Sequence, residues 1–408
     1  MRSYAWALLV VATSLLLASF NCNNVYSKPA PPPGSWLVLL CKASDAPQEP
    51  HPSSFYLTLF DKNQRDLLFD YFDLTSNHTL DVSATEVYGW FPMSVNTHDI
   101  APDVRNNSTA VTRTQTAKDC IASSLGGMAA QGFSVDPSKY GGVLTIINVP
   151  VDSGDTGEKS VVSNGDPDLS FYEHEMIHTF GQENHSWRAS ADTSSDHVWD
   201  HGGDVEYNDC LDMMSYDTCV IMFQTPNNGG QGPELQSVYR QNLKWFPAGR
   251  SVAATGIAPT TFTLAPLGDP SKPGPLVVTV EVPGKGAYLV EYRESVGFDR
   301  GFNSSAVIIR ELRNNNITYL VTRQGGSFTW SKGEMFTDAG NYLSIHVDDI
   351  VPGKATVTIN TVYSGGPVGA GEICGDKYHG VVRSCPAGTQ CQAKRSGQIQ
   401  SIDYFCLP

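Results

Sequence analysis

The chain has 408 residues, with 42 acidic against 27 basic side chains and a formal net charge of −15. That balance argues against nucleic acid or an anionic membrane as partner. The length calls for two or three domains, and nine cysteines point to an oxidising compartment.

Arg2 and the mostly apolar run from Ala5 to Phe20 read as a signal peptide. The run is short for a membrane span. Residues 1–27 are assigned to it, with cleavage after Ser27 or within Ala18 to Cys22, and 28–34 form a proline-rich lead-in. No later segment is apolar for long enough to cross a bilayer. From 35 to 248 strand and helix alternate. Trp36–Cys41 is an apolar strand, and Ser54 to Phe72 has helical spacing. Leu80 to Phe91 is extended, Thr116 to Met128 helical, and Val143 to Val149 a buried strand. A helix follows, opened by Ser170 and Glu173 in the spacing of a capping box.

That helix carries His174-Glu175-Met176-Ile177-His178, with Gly181 three residues on and His185 beyond it. Positions i and i+4 of a helix lie nearly over one another, so His174 and His178 aim at one ion. Glu175 stands beside them as general base toward a water. Gly181 lets the helix stop and the chain turn back with a third ligand. H-E-x-x-H also arises by chance on helix surfaces, and its context here sets it apart from those cases.

The segment resembles the long metzincin motif, H-E-x-x-H-x-x-G-x-x-H followed by a methionine turn. Asp212-Met213-Met214-Ser215-Tyr216 resembles that turn, with Asp212 in place of a first serine. On the resemblance Met214 lies beneath the metal and Tyr216 binds the metal or the oxyanion. The wider layout of about 35–248 is similar to the gametolysin-like and immune-inhibitor-A-like secreted peptidases, through Trp36 to Cys41, Gly89-Trp90-Phe91 and Glu206-Tyr207. The chain departs from the motif where Asn184 stands in the place of the third histidine. His185 is the favoured ligand, by way of a one-residue bulge. His197 or His201 in the following loop, or the poorer amide ligand Asn184, are the alternatives.

From 250 to 362 short strands split by Gly, Pro and Asn turns suggest a β-sandwich: 276–282, 287–293, 306–313 and 354–362. It reads as a structural companion of the preceding domain rather than as a binding module. Residues 366–408 form a cysteine-rich tail. The fold class expected is therefore α+β: a metzincin-like catalytic domain of mixed sheet plus helices, a β-sandwich and a small disulfide-rich tail.

With Cys22 leaving in the signal peptide, eight cysteines remain. Cys210 and Cys219 bracket the methionine turn, and Cys41 and Cys120 are partners by elimination. Cys374, Cys385, Cys391 and Cys406 make two bridges in the tail. Sequons at Asn77, Asn106, Asn107, Asn303 and Asn316 suit a secreted glycoprotein, while the one at Asn184 is expected to stay unmodified. The acidic loop Asp192, Asp196, Asp200, Asp204 offers oxygen ligands for Ca2+, but without an EF-hand pattern it reads as a solvated loop. The function expected is a secreted, monomeric zinc endopeptidase. It needs Zn2+ and takes protein or peptide substrates, with no nucleic acid and no membrane as partner. The alternative is a catalytically silent binding or adhesion protein on the same fold.

Overall fold

A strand made only of Trp36, Leu37, Val38, Leu39, Leu40 and Cys41 has no wet face, so it must be covered on both sides. All six residues are 0% exposed in the computed structural model. The structure describes most of residues 34–361, apart from 101–111, 190–203 and short stretches at 166–167, 216–218, 227, 256–258, 283–285, 314–315, 324–326 and 339–342; outside that span it describes Pro32 and the backbone of short strands at 26–27 and within 373–407. The expected signal peptide, Asn106, Asn107, His197, His201, Tyr216 and three aspartates of the acidic loop lie outside the described residues.

The fold is mixed α+β, with several sheets and few helices. The chain divides into two compact units, one of residues 1–60 and 83–166, the other of 61–82 and 167–408. In the first, β1 (Trp36–Lys42) lies between β2 (Glu86–Pro92) and β3 (Gly142–Ile147), parallel to both. Next come β5 (Ser160–Asn164), parallel to β3, and the short β4 (Gly154–Asp155), antiparallel to β5 at the sheet edge. Between β1 and β2 the chain forms α1 (Ser53–Thr58). Helix α3 (Arg113–Ala130) starts at Thr112, whose side chain accepts from the Gln115 amide, and it is bridged to β1 by the Cys41–Cys120 disulfide.

The expected helix from Ser54 to Phe72 is interrupted. It resolves into α1 and α2 (Leu68–Thr75), separated by turns that include Asp66 at φ +59°. That backbone angle is closed to a continuing right-handed helix.

In the second unit, Tyr71 and Phe72 of α2 meet Phe298 and Phe180 edge to face. A seven-stranded sheet runs in the order β10 (Ser251–Ala253), β12 (Val277–Val282), β13 (Gly286–Arg293), β14 (Ala306–Arg313), β15 (Thr318–Leu320), β6 (Trp187–Arg188) and β7 (Val205–Glu206). A four-stranded antiparallel sheet is built from β11 (Thr260–Leu264), β18 (Lys354–Asn360), β17 (Leu343–Val351) and β16 (Met335–Asp338). One cluster holds Val278, Val280 and Val290 of the larger sheet with Ile345, Val347 and Val357 of the smaller. The alternation read from the sequence over β18 is present: Ala355, Val357 and Ile359 face this core, and Thr356, Thr358 and Asn360 point away. Phe223–Thr225 and Gly229–Gln231 form a hairpin, numbered β8 and β9. In the tail, four short strands form a sheet of their own, with Cys391 opposite Cys406 in register. The bridging of the tail cysteines lies outside the described side chains.

Candidate functional site

Helix α4 (Leu169–Thr179) opens differently from the capping box expected. Asp168 is the cap, its Oδ1 accepting from both the amide and the hydroxyl of Ser170. Glu173 turns inward instead of back to the helix start, is fully buried, and accepts from the Gly232 amide. Burial pushes its carboxyl well above the usual range. The helix buries Leu169, Tyr172, Glu173, Met176 and Ile177. His174, Glu175 and His178 sit half-buried on the remaining face.

After Phe180 the helix ends. Gly181 takes φ +106°, the left-handed region that glycine enters without strain. The chain turns back and presents His185. The Nε2 atoms of His174 and His178 lie 3.1 Å apart, as do those of His178 and His185. Among the described residues these three histidines form a cluster of metal-ligand type, with candidate donor atoms all within 4.8 Å of one another. The backbone carbonyl of Asn184 accepts from the Gln182 side chain.

Each ring has its second nitrogen engaged. His174 Nδ1 lies 2.8 Å from the Met213 carbonyl, His178 Nδ1 2.7 Å from the Gln182 carbonyl, and His185 Nδ1 3.2 Å from Glu206 Oε1. A carbonyl only accepts, so Nδ1 of His174 and His178 carries the proton and Nε2 is left as a lone pair. The Glu206 carboxylate imposes the same tautomer on His185. Burial lowers the pKa of His174. Burial, with the neighbouring imidazoles His178 and His174, pushes His185 down to about 3. His174 and His185 are therefore neutral at pH 7, the form in which imidazole binds a metal. Lone pairs facing one another at 3.1 Å, as between His178 and each of its two neighbours, repel unless a cation draws them together. The donor set therefore fits a metal, and three imidazoles are a set that zinc takes.

The loop bearing His185 is held from several sides. Tyr239, on α5 (Ser237–Asn242), donates its hydroxyl to the His185 carbonyl at 2.8 Å, and Thr318 Oγ1 donates to that hydroxyl. The Tyr207 ring lies 3.9 Å from the His185 ring, centroid to centroid. Just past His185, β6 pairs in parallel with β15 and antiparallel with β7, which carries Glu206. Met214 is fully buried in its turn, and its carbonyl accepts from the Ser186 amide. Cys210 and Cys219 are bridged, flanking that turn.

Beneath the turn lies a buried ionic network. Arg310 pairs with Asp209 and Glu291, and Arg293 with Asp299. Both guanidiniums also donate to the Leu211 carbonyl. Arg240 pairs with Glu234. Asp204, expected in an acidic loop, instead binds Arg313. In the sequence Glu206 stood out only as part of the Glu206-Tyr207 resemblance, with no role at the histidines attached to it, and Tyr239 and this network did not stand out. Its one trace there is charged residues within otherwise apolar strands, as in Ile308-Ile309-Arg310-Glu311-Leu312.

Comparison with protein-family models and with curated proteins finds no match.

Proposed function

We propose that this chain is a zinc-dependent endopeptidase of metzincin type, secreted and acting on peptide bonds of extracellular proteins. The observation that carries the reading is the geometry of His174, His178 and His185: each ring is oriented through Nδ1, and the Nε2 atoms cluster together. His174, His178 and His185 would hold the ion. Bound zinc supplies a Lewis acid that lowers the pKa of water toward about 7 and polarises a carbonyl.

Glu175 follows His174 on the helix and is half-buried. It takes a proton from the attacking water and returns it to the leaving amine. Tyr216 keeps the oxyanion role that the resemblance implies, and Met214 contributes packing. The two-layer β region is a sandwich that supports the site. Two disulfides, Cys41–Cys120 and Cys210–Cys219, support the oxidising compartment. Among the described residues no helix is long and apolar enough to cross a membrane.

The test is metal analysis with casein hydrolysis on wild type and Glu175→Ala. Both should hold one zinc, and the variant should lose about 10²–10⁴-fold in activity. A variant within a few fold of wild type would remove Glu175 as the base. Zinc without hydrolysis in the wild type would favour a silent binding protein.

A further inference from the structure

We propose that Asp212 is a positioning residue of the metal centre, its carboxylate fixing the spacing between His174 and His185. The inference rests on the reading of the three histidines as metal ligands.

Asp212 is 0% exposed, and a carboxylate in such a place is costly unless its lone pairs are used. They are used by its own turn and by two segments distant in sequence. Oδ1 accepts from the Ser186 hydroxyl at 2.7 Å and from the Met214 amide at 2.8 Å, and Oδ2 accepts from the Gln236 amide at 2.7 Å. Ser186 directly follows His185. The Met214 amide belongs to the peptide unit whose carbonyl, Met213 O, receives His174 Nδ1. One carboxylate oxygen thus ties the backbone that orients the first ligand to the residue beside the third.

The Ser186 hydroxyl has one proton. It accepts from Gln236 Nε2 at 2.8 Å, which leaves that proton for Asp212. The Ser186 amide adds a second tie, to the Met214 carbonyl at 2.9 Å. A serine at position 212, the residue of the motif this turn resembles, has a single oxygen and cannot span donors on both sides. Aspartate at this position therefore links the turn to the displaced ligand, where the chain also departs from that motif.

The experiment uses the full chain with Asp212→Asn and Ser186→Ala. Asparagine keeps the shape but puts an NH2 group against a donor, and alanine removes a single tie. Zinc affinity is measured by chelator competition. The visible bands of the cobalt-loaded protein report ligand geometry, which a purely structural role would leave unchanged. Asp212→Asn should lower zinc affinity about 10–100-fold and shift the cobalt bands. Ser186→Ala should move both in the same direction by less. A folded Asp212→Asn with affinity within about threefold of wild type and unchanged bands overturns the role. If Asp212→Asn does not fold, Ser186→Ala decides: unchanged affinity and bands overturn the role. A wild type that takes up neither zinc nor cobalt overturns the metal-centre reading as well. Tight wild-type binding with indifferent variants overturns the positioning role alone.

Discussion

Replacing Arg310 by methionine tests the network under the methionine turn. Arg310 is 0% exposed. Its Nε lies 2.6 Å from Asp209 Oδ2 and its Nη1 2.8 Å from Glu291 Oε2, while Nη2 reaches Asp209 Oδ1 at 3.4 Å and the Leu211 carbonyl at 3.3 Å. Methionine fills much of the volume, so the cost comes from the charges left behind. Removing one partner of a buried pair costs about 3–5 kcal/mol. The partners decide where in that range the value falls. Glu291 keeps Arg293 at 3.9 Å and the Ser237 amide, and Asp209 keeps the Leu211 amide. Both carboxylates retain some compensation, which favours the lower part, about 3–4 kcal/mol. At roughly 2–4 °C per kcal/mol, the thermal midpoint should fall by about 6–16 °C. Circular dichroism on metal-free protein measures it. Arg300→Met serves as control, since the Arg300–Asp66 pair is open to solvent and should contribute no more than about 1 kcal/mol. Equal midpoints for the two variants would refute the argument that burial makes the Arg310 pairs matter.

Three further outcomes are expected. His185→Ala should abolish stoichiometric zinc while Asn184→Ala keeps it, because two imidazoles are too few to retain the ion; metal analysis after dialysis decides, and the reverse pattern would exclude His185. Burial pushes the Glu311 carboxyl up to about 8. A raised carboxyl favours the folded state most below its ordinary value of 4.5, and that contribution is lost as pH rises through about 8. Glu311→Gln stays neutral, so its thermal midpoint should fall less than wild type between pH 5 and pH 9, and parallel profiles would count against the shift. The Cys41–Cys120 bridge closes a separation of 79 residues, for which chain entropy gives about 4.5 kcal/mol; Cys41→Ser with Cys120→Ser should show that loss in urea unfolding, and an unchanged midpoint would contradict it.

The parts of this protein legible from sequence are those set by local spacing. The i, i+4 histidines and the alternation along β18 follow from periods of 3.6 and 2, the glycine that ends the helix from its freedom at positive φ, and the unbroken apolar run of β1 from burial on both faces. What could not be read was set at long range. The spacing of Ser170 and Glu173 fits a capping box, yet Asp168 caps the helix because Glu173 belongs to the face packed inward, where the Gly232 amide takes its carboxylate. The apolar periodicity from Phe55 to Tyr71 continues across Asp66, where the backbone itself turns aside. Asp212 was visible only as a substitution within a motif. Its three donors come from positions 186, 214 and 236, a convergence that no window of sequence displays.

The parallel pairing of β6 with β15 places Trp187 against Tyr319, roughly 130 residues later in the chain. The sheet edge that seats the His185 loop therefore does not exist until synthesis has passed Leu320, and long-range pairings of this kind form late. His174 and His178 are present on their helix well before then, but two imidazoles make a weak site. On the proposed reading, the chain should thus emerge without a competent metal centre and acquire one once β15 pairs with β6. On the function proposed above, a nascent peptidase would be kept from cutting itself by the order in which it is made. Zinc uptake by stalled chains ending before and after residue 320 would time that step.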